Sequence, residues 1–193
     1  MPDLNLITTI VTQEAHETVI DIQFKKINRR WSPMQGVYTI IISLSQGEEI
    51  TIGKLGMTFF PAGYYTYTGS ALGSSSTSLF GRIRRHLSKE KKKHWHIDYL
   101  LDAAISKVVC VVLSETTLRK EHEVVNSLEA SSKFRTVMKG FGSSDCRSGC
   151  TTHLQHYSGQ ELANLENLVC EAYRSVGLSP KKLEPSLIRD LHI

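Results

Sequence analysis

The sequence contains no apolar run approaching the roughly 20 residues that a membrane-spanning helix needs, which argues against a membrane protein. Its first residues carry Asp3 and Glu14 and lack a basic segment, so they do not read as a secretory signal. Cysteines are few: Cys110, Cys146, Cys150 and Cys170. Without an export signal these four are expected to be reduced thiols or metal ligands rather than disulfides, in a cytoplasmic protein. No internal repeat and no low-complexity stretch appears, and the composition is that of a globular chain rather than a disordered or fibrous one. The segment GSALGSSS is glycine-rich but lacks the Gly-Lys-Ser/Thr ending of a phosphate loop, so it gives little support for a nucleotide site.

What is present points elsewhere. The chain has 193 residues, enough for one domain with an extension and a true core. Residues 1–33 read as an N-terminal extension, 34–157 as the main domain, and 158–193 as a C-terminal helix and tail. The formal charge is +4, but its placement matters more than its size. Arg82, Arg84, Arg85, Lys89, Lys91, Lys92 and Lys93 meet only Glu90 within twelve residues, while the rest of the chain sums to −2. A block of one sign on an otherwise balanced chain suggests a polyanionic partner, where lysines would neutralise phosphates without reading sequence. The competing reading is a solvated helix face.

Alternation marks the strands. Ile20, Ile22 and Phe24 share one face of TVIDIQF, and Tyr38, Ile40, Ile42 and Leu44 share one face of VYTIIISL. The turn signal SQGEE predicts that EEITIGK returns as the hairpin partner of that strand. GYYTYTG reads as a further strand with Tyr65 and Tyr67 on one side, and ISKVVCVVL as a buried, β-branched one. A helix is expected over 78–87, with Leu79, Phe80, Ile83 and Leu87 inward, Arg82 and His86 on the rim, and Arg85 pointing outward. TTLRKEHEVVNSLEA is expected to be helical, with Leu118, Val124, Val125 and Leu128 as its apolar stripe. Glu121 falls in the middle of that stripe, where a carboxylate is costly unless it is paired or binds a cation. A third helix is expected over 160–172, and GLSPKKLEP reads as a loose connector.

Several residues stand out as candidates. Tyr38 and Tyr67 each lie two residues from a glycine, Gly36 and Gly69, which would let a ligand approach closely. A phenol there could position water, or act as a base if a nearby cation lowers its pKa; the alternative is two packed strand tyrosines with wet hydroxyls. Cys146, Cys150 and His153 have spacing that could supply three ligands to Zn²⁺, with Asp145 or His156 as a fourth; the alternative is a loop of reduced thiols. His94, His96 and Asp98 mimic the first ligands of a two-zinc hydrolase, but Tyr99 stands where that motif wants another histidine.

The order GVY (36–38), YTG (67–69), Arg82 with His86, then Glu121 resembles the GIY-YIG nuclease superfamily. FPAGYYTYTGSALG (60–73), RIRRHL (82–87), KKHWHIDYLL (92–101) and GFGSSDC (140–146) carry a closer resemblance to one subfamily, a domain of unknown function found alone or fused to endonuclease-III-like glycosylases. The resemblance implies a mixed α/β (α+β) domain with a small three-stranded antiparallel sheet flanked by helices. EEITIGK would be an extra strand inserted between the two tyrosine motifs. It further implies a metal-dependent endonuclease that uses Mg²⁺ or Mn²⁺ to hydrolyse phosphodiesters in DNA, with RNA as the other polyanion, in a repair setting with a glycosylase as possible partner. By that resemblance Tyr38 is the base or water-positioning tyrosine, Tyr67 the second site tyrosine, Arg82 the phosphate-stabilising arginine, His86 a site histidine and Glu121 the metal ligand. Arg84, Arg85, Lys89, Lys91, Lys92, Lys93, His94 and His96 would hold the backbone. A non-catalytic nucleic-acid-binding module of the same fold is the alternative, and a zinc hydrolase built on HWHID a weaker one.

Overall fold

The computed structural model describes residues 34–183 apart from 145 and 147. The expected strand in TVIDIQF and the role of Asp145 as a ligand therefore lie outside the described residues. Among the described residues no helix is long and apolar enough to cross a membrane.

The chain forms a mixed α/β domain around an antiparallel sheet. Strands β1 (Gly36–Leu44), β4 (Gly63–Ala71), β5 (Ser106–Glu115), β6 (Phe134–Thr136), β7 (Leu154–Tyr157) and β8 (Lys181–Leu183) form it in the order β6-β7-β4-β1-β5-β8. Among the described residues the sheet thus has six strands rather than three. β1 is the centre, paired along its whole length to β4 on one side and β5 on the other. That occupancy explains why EEITIGK is not its hairpin partner: β1 has no free edge. Strand β2 (Glu48–Thr51) instead pairs with β3 (Met57–Phe60) as a separate two-stranded ribbon. Ile50, Ile52 and Phe60 tie this ribbon into the core.

Among the described residues four helices cover the sheet: α1 (Leu79–Leu87), α2 (His96–Asp102), α3 (Glu121–Glu129) and α4 (Leu162–Ser175). The Oγ of Ser78 caps α1 by accepting from the Gly81 amide at 3.2 Å, satisfying a donor that the first turn leaves open. The two faces of β1 feed two cores, as period-2 alternation requires. Tyr38, Ile40 and Ile42 pack with Tyr65, Tyr67, Leu79, Ile83 and Ile97. Val37 and Ile41 pack with Cys110, Val112, Val124, Val169 and Tyr173. Within the second layer, Thr39 Oγ1 bonds both Thr68 Oγ1 (2.9 Å) and the Tyr173 hydroxyl (3.0 Å), so these three hydroxyls satisfy one another.

The domain does not end at residue 157, because α4 supplies Leu165, Val169 and Tyr173 to this core. GLSPKKLEP is not merely a connector either, since Lys181–Leu183 pairs with β5 as an edge strand. Two lysines on an exposed three-residue edge are a usual guard against pairing with other chains.

Gly36 serves packing rather than ligand approach. A Cβ there would lie 2.2 Å from the Ser114 carbonyl oxygen and 2.9 Å from Leu79 Cδ2. Neither the cross-strand backbone nor the helix can retreat easily. Gly36→Ala is expected to cost about 3 kcal/mol, read as a lower urea midpoint at unchanged slope. An unchanged midpoint would show that the β1–β5 spacing is more compliant than this.

Candidate functional site

Tyr38 of β1, Tyr67 of β4, Arg82 of α1 and Glu121 of α3 line one cavity of about 490 Å³. His94, Trp95, His96, Arg119 and His153 complete much of its wall. The register explains how two strand tyrosines meet. Ile40 lies opposite Tyr67 and Tyr38 opposite Gly69, so the two phenols sit diagonally on the same face. The glycine makes room for the ring: a Cβ at Gly69 would lie 2.7 Å from the Tyr38 hydroxyl oxygen. This replaces the expectation that Gly69 clears space for a ligand.

Tyr38 is almost fully buried. Burial pushes its phenol well above the usual tyrosine range, and Arg82 beside it offsets this only in part. Tyr38 is therefore protonated at neutral pH, and the expectation that a cation lowers its pKa is not met. Its hydroxyl has an exit for that proton, however. His86 Nε2 lies 2.9 Å away. His86 does not sit on the rim: it is buried behind Tyr38, between the Tyr38, Tyr67 and Trp95 rings. Burial lowers its pKa, so the imidazole is neutral and able to accept.

Behind His86 stands Asp98, with Oδ1 3.8 Å from His86 Nδ1. Burial alone would raise this carboxyl. The His86 ring, the Arg85 guanidinium and the amides of Trp95 and His94 outweigh it and hold Asp98 well below the usual carboxylate range. Arg85 binds Asp98 through both nitrogens at 3.0 Å, and the two amides each donate to Oδ2 at 2.9 Å. Tyr38, His86, Asp98 and Arg85 thus form a line from the cavity into the protein. His86 Nε2 is placed to exchange a proton with Tyr38, while Nδ1 makes no hydrogen bond and Asp98 acts on the ring as a nearby charge.

The same contacts decide the basic segment. Arg85 was expected to point outward, yet it folds back onto Asp98 and over the Trp95 ring at 4.0 Å. Lys91 donates to the carbonyls of His86 and Ser88 and so finishes α1. Lys93 pairs with Asp102 at 2.6 Å. Arg84, Lys89, Lys92 and Lys93 are exposed. His94 and His96 reach the cavity wall, and His96 Nδ1 accepts from the Gly142 amide at 3.1 Å. Asp98 is turned away from that wall, so His94, His96 and Asp98 do not form a common metal cradle.

Glu121 is buried as expected, but for a different reason. The helix starts at Glu121 rather than near residue 116, and Leu118 is 60% exposed instead of stripe-forming. Glu121 thus occupies the first turn of α3 with its carboxylate at the cavity. Its Oε1 is 3.9 Å from the exposed Arg119, and its Oε2 is buried without a hydrogen-bond partner. Arg82 Nε is likewise buried without a partner. A buried acceptor and a buried donor left open on one cavity are what an absent cation and an absent anion would use. One carboxylate with open space before it fits a hard divalent ion that keeps several waters.

A second donor set is present. Cys146, Cys150 and His153 hold ligand atoms within 4.8 Å of one another, so they could bind a metal ion. All four cysteines are free thiols. His156 does not join this group, because its ring packs on Tyr65 and reaches the Ala62 carbonyl.

Sequence reading passed over Trp95 and Gly142 and gave Asp98 the wrong setting. An aspartate three residues after Trp95, placed to accept its amide, was the available signal. Gly142 has φ +71°, and a Cβ there would lie 2.8 Å from the Tyr67 ring. No curated protein and no solved structure matches the chain. Residues 37–178 match the domain of unknown function DUF123, and the chain belongs to that family.

Proposed function

We propose that this protein is a metal-dependent endonuclease of the GIY-YIG type that hydrolyses phosphodiester bonds in DNA. The observation that carries the reading is the convergence of Tyr38, Tyr67, Arg82 and Glu121 from four separate elements on one cavity, with Glu121 Oε2 and Arg82 Nε both buried and unpartnered. The strands β4, β1 and β5 would be the three-stranded GIY-YIG core, with β6, β7 and β8 as additions at its edges.

Glu121 would hold Mg²⁺ or Mn²⁺, which would neutralise charge on the phosphate and the leaving oxygen. Zn²⁺ is the better match for the thiols of Cys146 and Cys150 with His153. The Arg82 guanidinium would bind a non-bridging phosphate oxygen and strengthen that contact as negative charge builds. Tyr38 would accept a hydrogen bond from the attacking water while passing its own proton to neutral His86. Water's proton would move to the Tyr38 oxygen as the Tyr38 proton moves to His86; water's oxygen would bond to phosphorus, the bond to one sugar oxygen would break, that oxygen would take a proton from solvent, and His86 would be left as an imidazolium beside Asp98. Tyr67 would orient the phosphate or the water from the opposite strand. Exposed Arg84, Lys89 and Lys92 would take backbone phosphates outside the cavity, and His94 would meet the strand at its wall.

The test is cleavage of labelled single-stranded, duplex, flap and branched DNA with Mg²⁺, Mn²⁺ or EDTA. Wild type would run beside Arg82→Ala and Glu121→Ala. Cutting that needs the metal and disappears in both variants is the expected result. Salt-sensitive binding without cutting under any metal would replace the nuclease with a binding module.

A further inference from the structure

The loop from Gly140 to His153 supplies Gly142, Ser144 and His153 to one wall of the cavity. Among its described residues it has one fully buried apolar side chain, Phe141, and no regular element. Its ends are clamped by backbone bonds, Gly140 N–H to the Thr151 carbonyl at 2.8 Å and His153 N–H to the Phe141 carbonyl at 2.7 Å. Between the clamps the chain turns through Ser143, whose carbonyl accepts from the Cys146 amide at 3.0 Å. Cys146 and Cys150 come from this turn, and His153 from the limb that becomes β7. Two soft sulfurs and one borderline nitrogen therefore meet across the loop.

We infer that Cys146, Cys150 and His153 bind one Zn²⁺ ion through three protein ligands, and that this ion fixes the loop as a wall of the cavity. The donors lie within 4.8 Å of one another. Tetrahedral zinc with two thiolates and an imidazole needs separations of roughly 3.6–3.8 Å, so small side-chain rotations close the site. The donor chemistry selects against Mg²⁺ and Ca²⁺, which want oxygen, and favours Zn²⁺. The carboxylates of Glu121 and Glu129 lie within electrostatic reach of Cys150, so a dication there meets a compatible field. His153 also lines the cavity, and a water molecule would complete a tetrahedral set of ligands. Binding deprotonates both thiols, releases two protons to solvent, and changes no oxidation state.

The consequence reaches Tyr67. A Cβ at Gly142 would lie 2.8 Å from the Tyr67 ring and 3.2 Å from His153 Cβ, so the histidine, the loop backbone and the second tyrosine are packed together. Anchoring His153 through its ring therefore braces Tyr67. This role for zinc does not depend on the nuclease reading, and its test uses no DNA.

The experiment is metal analysis and cobalt substitution of the full chain under reducing conditions. One zinc per chain is expected after purification without chelator. After zinc removal, one equivalent of Co²⁺ is expected to give an intense visible band of tetrahedral cobalt and a near-ultraviolet thiolate-to-cobalt band, both erased by one equivalent of Zn²⁺. Cys146→Ser and Cys150→Ser should each weaken the thiolate band and lower cobalt affinity about 100-fold or more, while Cys170→Ser leaves both unchanged. The wild-type spectrum reads the ligand set even if a variant misfolds. Absence of a thiolate band in reduced wild type, or its survival at full wild-type intensity in either loop variant, would overturn the proposal. So would a Cys146–Cys150 disulfide whose reduction restores no metal binding.

Discussion

Glu121→Gln is expected to remove metal-dependent cleavage by about 10³-fold while leaving the protein as stable as wild type or about 1 kcal/mol more stable. The two effects have one cause. Glu121 holds a carboxylate oxygen in a buried position with no hydrogen-bond partner, and its other oxygen meets only an exposed arginine at 3.9 Å. A charge kept that way is costly to the folded protein. Glutamine keeps the shape and removes the charge, so the cost falls, but a neutral amide is a poor ligand for Mg²⁺. If Glu121 holds the proposed metal, millimolar Mg²⁺ or Mn²⁺ is expected to raise the melting temperature of wild type, and the same substitution should remove that rise. Thermal melts with and without metal check binding; single-turnover cleavage checks chemistry. If Glu121→Gln were strongly destabilised and the metal still raised its melting temperature, Glu121 would be a structural acid and the cation would lie elsewhere.

The strands most legible in the sequence were those whose pattern reports burial directly. β1, β4 and β5 carry alternating or β-branched runs, and all three lie where that pattern puts them, at the centre of the sheet. Pairing was less legible. Nothing in EEITIGK states that β1 already has both neighbours, and a turn signal specifies proximity along the chain rather than partnership. β6 and β8 are three residues each, too short for a periodicity to form. At the site, the wheel of α1 read Arg85 as solvent-facing because a wheel contains one helix. The partner that draws Arg85 back is Asp98 on α2, and only the fold brings the two together. Glu121 shows the reverse: a wrong helix start still located a buried acid, because Val124, Val125 and Leu128 define the inward face without the first turn.

Asp98→Asn is the substitution that separates a structural line of contacts from a proton path. Asp98 is fully buried and receives Arg85 through two bonds and two backbone amides through two more. Breaking such a pair costs about 3–5 kcal/mol when both partners are buried. Arg85 is 29% exposed and can rehydrate, so about 2–4 kcal/mol is expected in urea unfolding. The wild-type stability carried by this carboxylate is complete above the ordinary aspartate range near pH 4 and is lost as the pH falls toward its depressed folded value. His86 adds a second acid-sensitive contribution: being neutral in the fold, it disfavours folding once the pH drops below about 6.5, where the unfolded imidazole takes a proton. On the proposed mechanism, cleavage needs neutral His86, so the rate rises with pH through the His86 titration. Asp98 raises the His86 pKa against the effect of burial. Its replacement should therefore shift the acid limb of the rate profile to lower pH while reducing the plateau about 10²-fold, through loss of imidazolium stabilisation. Instability alone predicts the opposite movement, a limb displaced to higher pH as the weakened fold fails earlier in acid. A pH–rate profile measured under conditions where the variant is folded, confirmed by circular dichroism at each pH, tells the two apart. A lower plateau with an unmoved limb would leave Asp98 as the anchor of Arg85 and α2, and would remove His86 from the path of the proton.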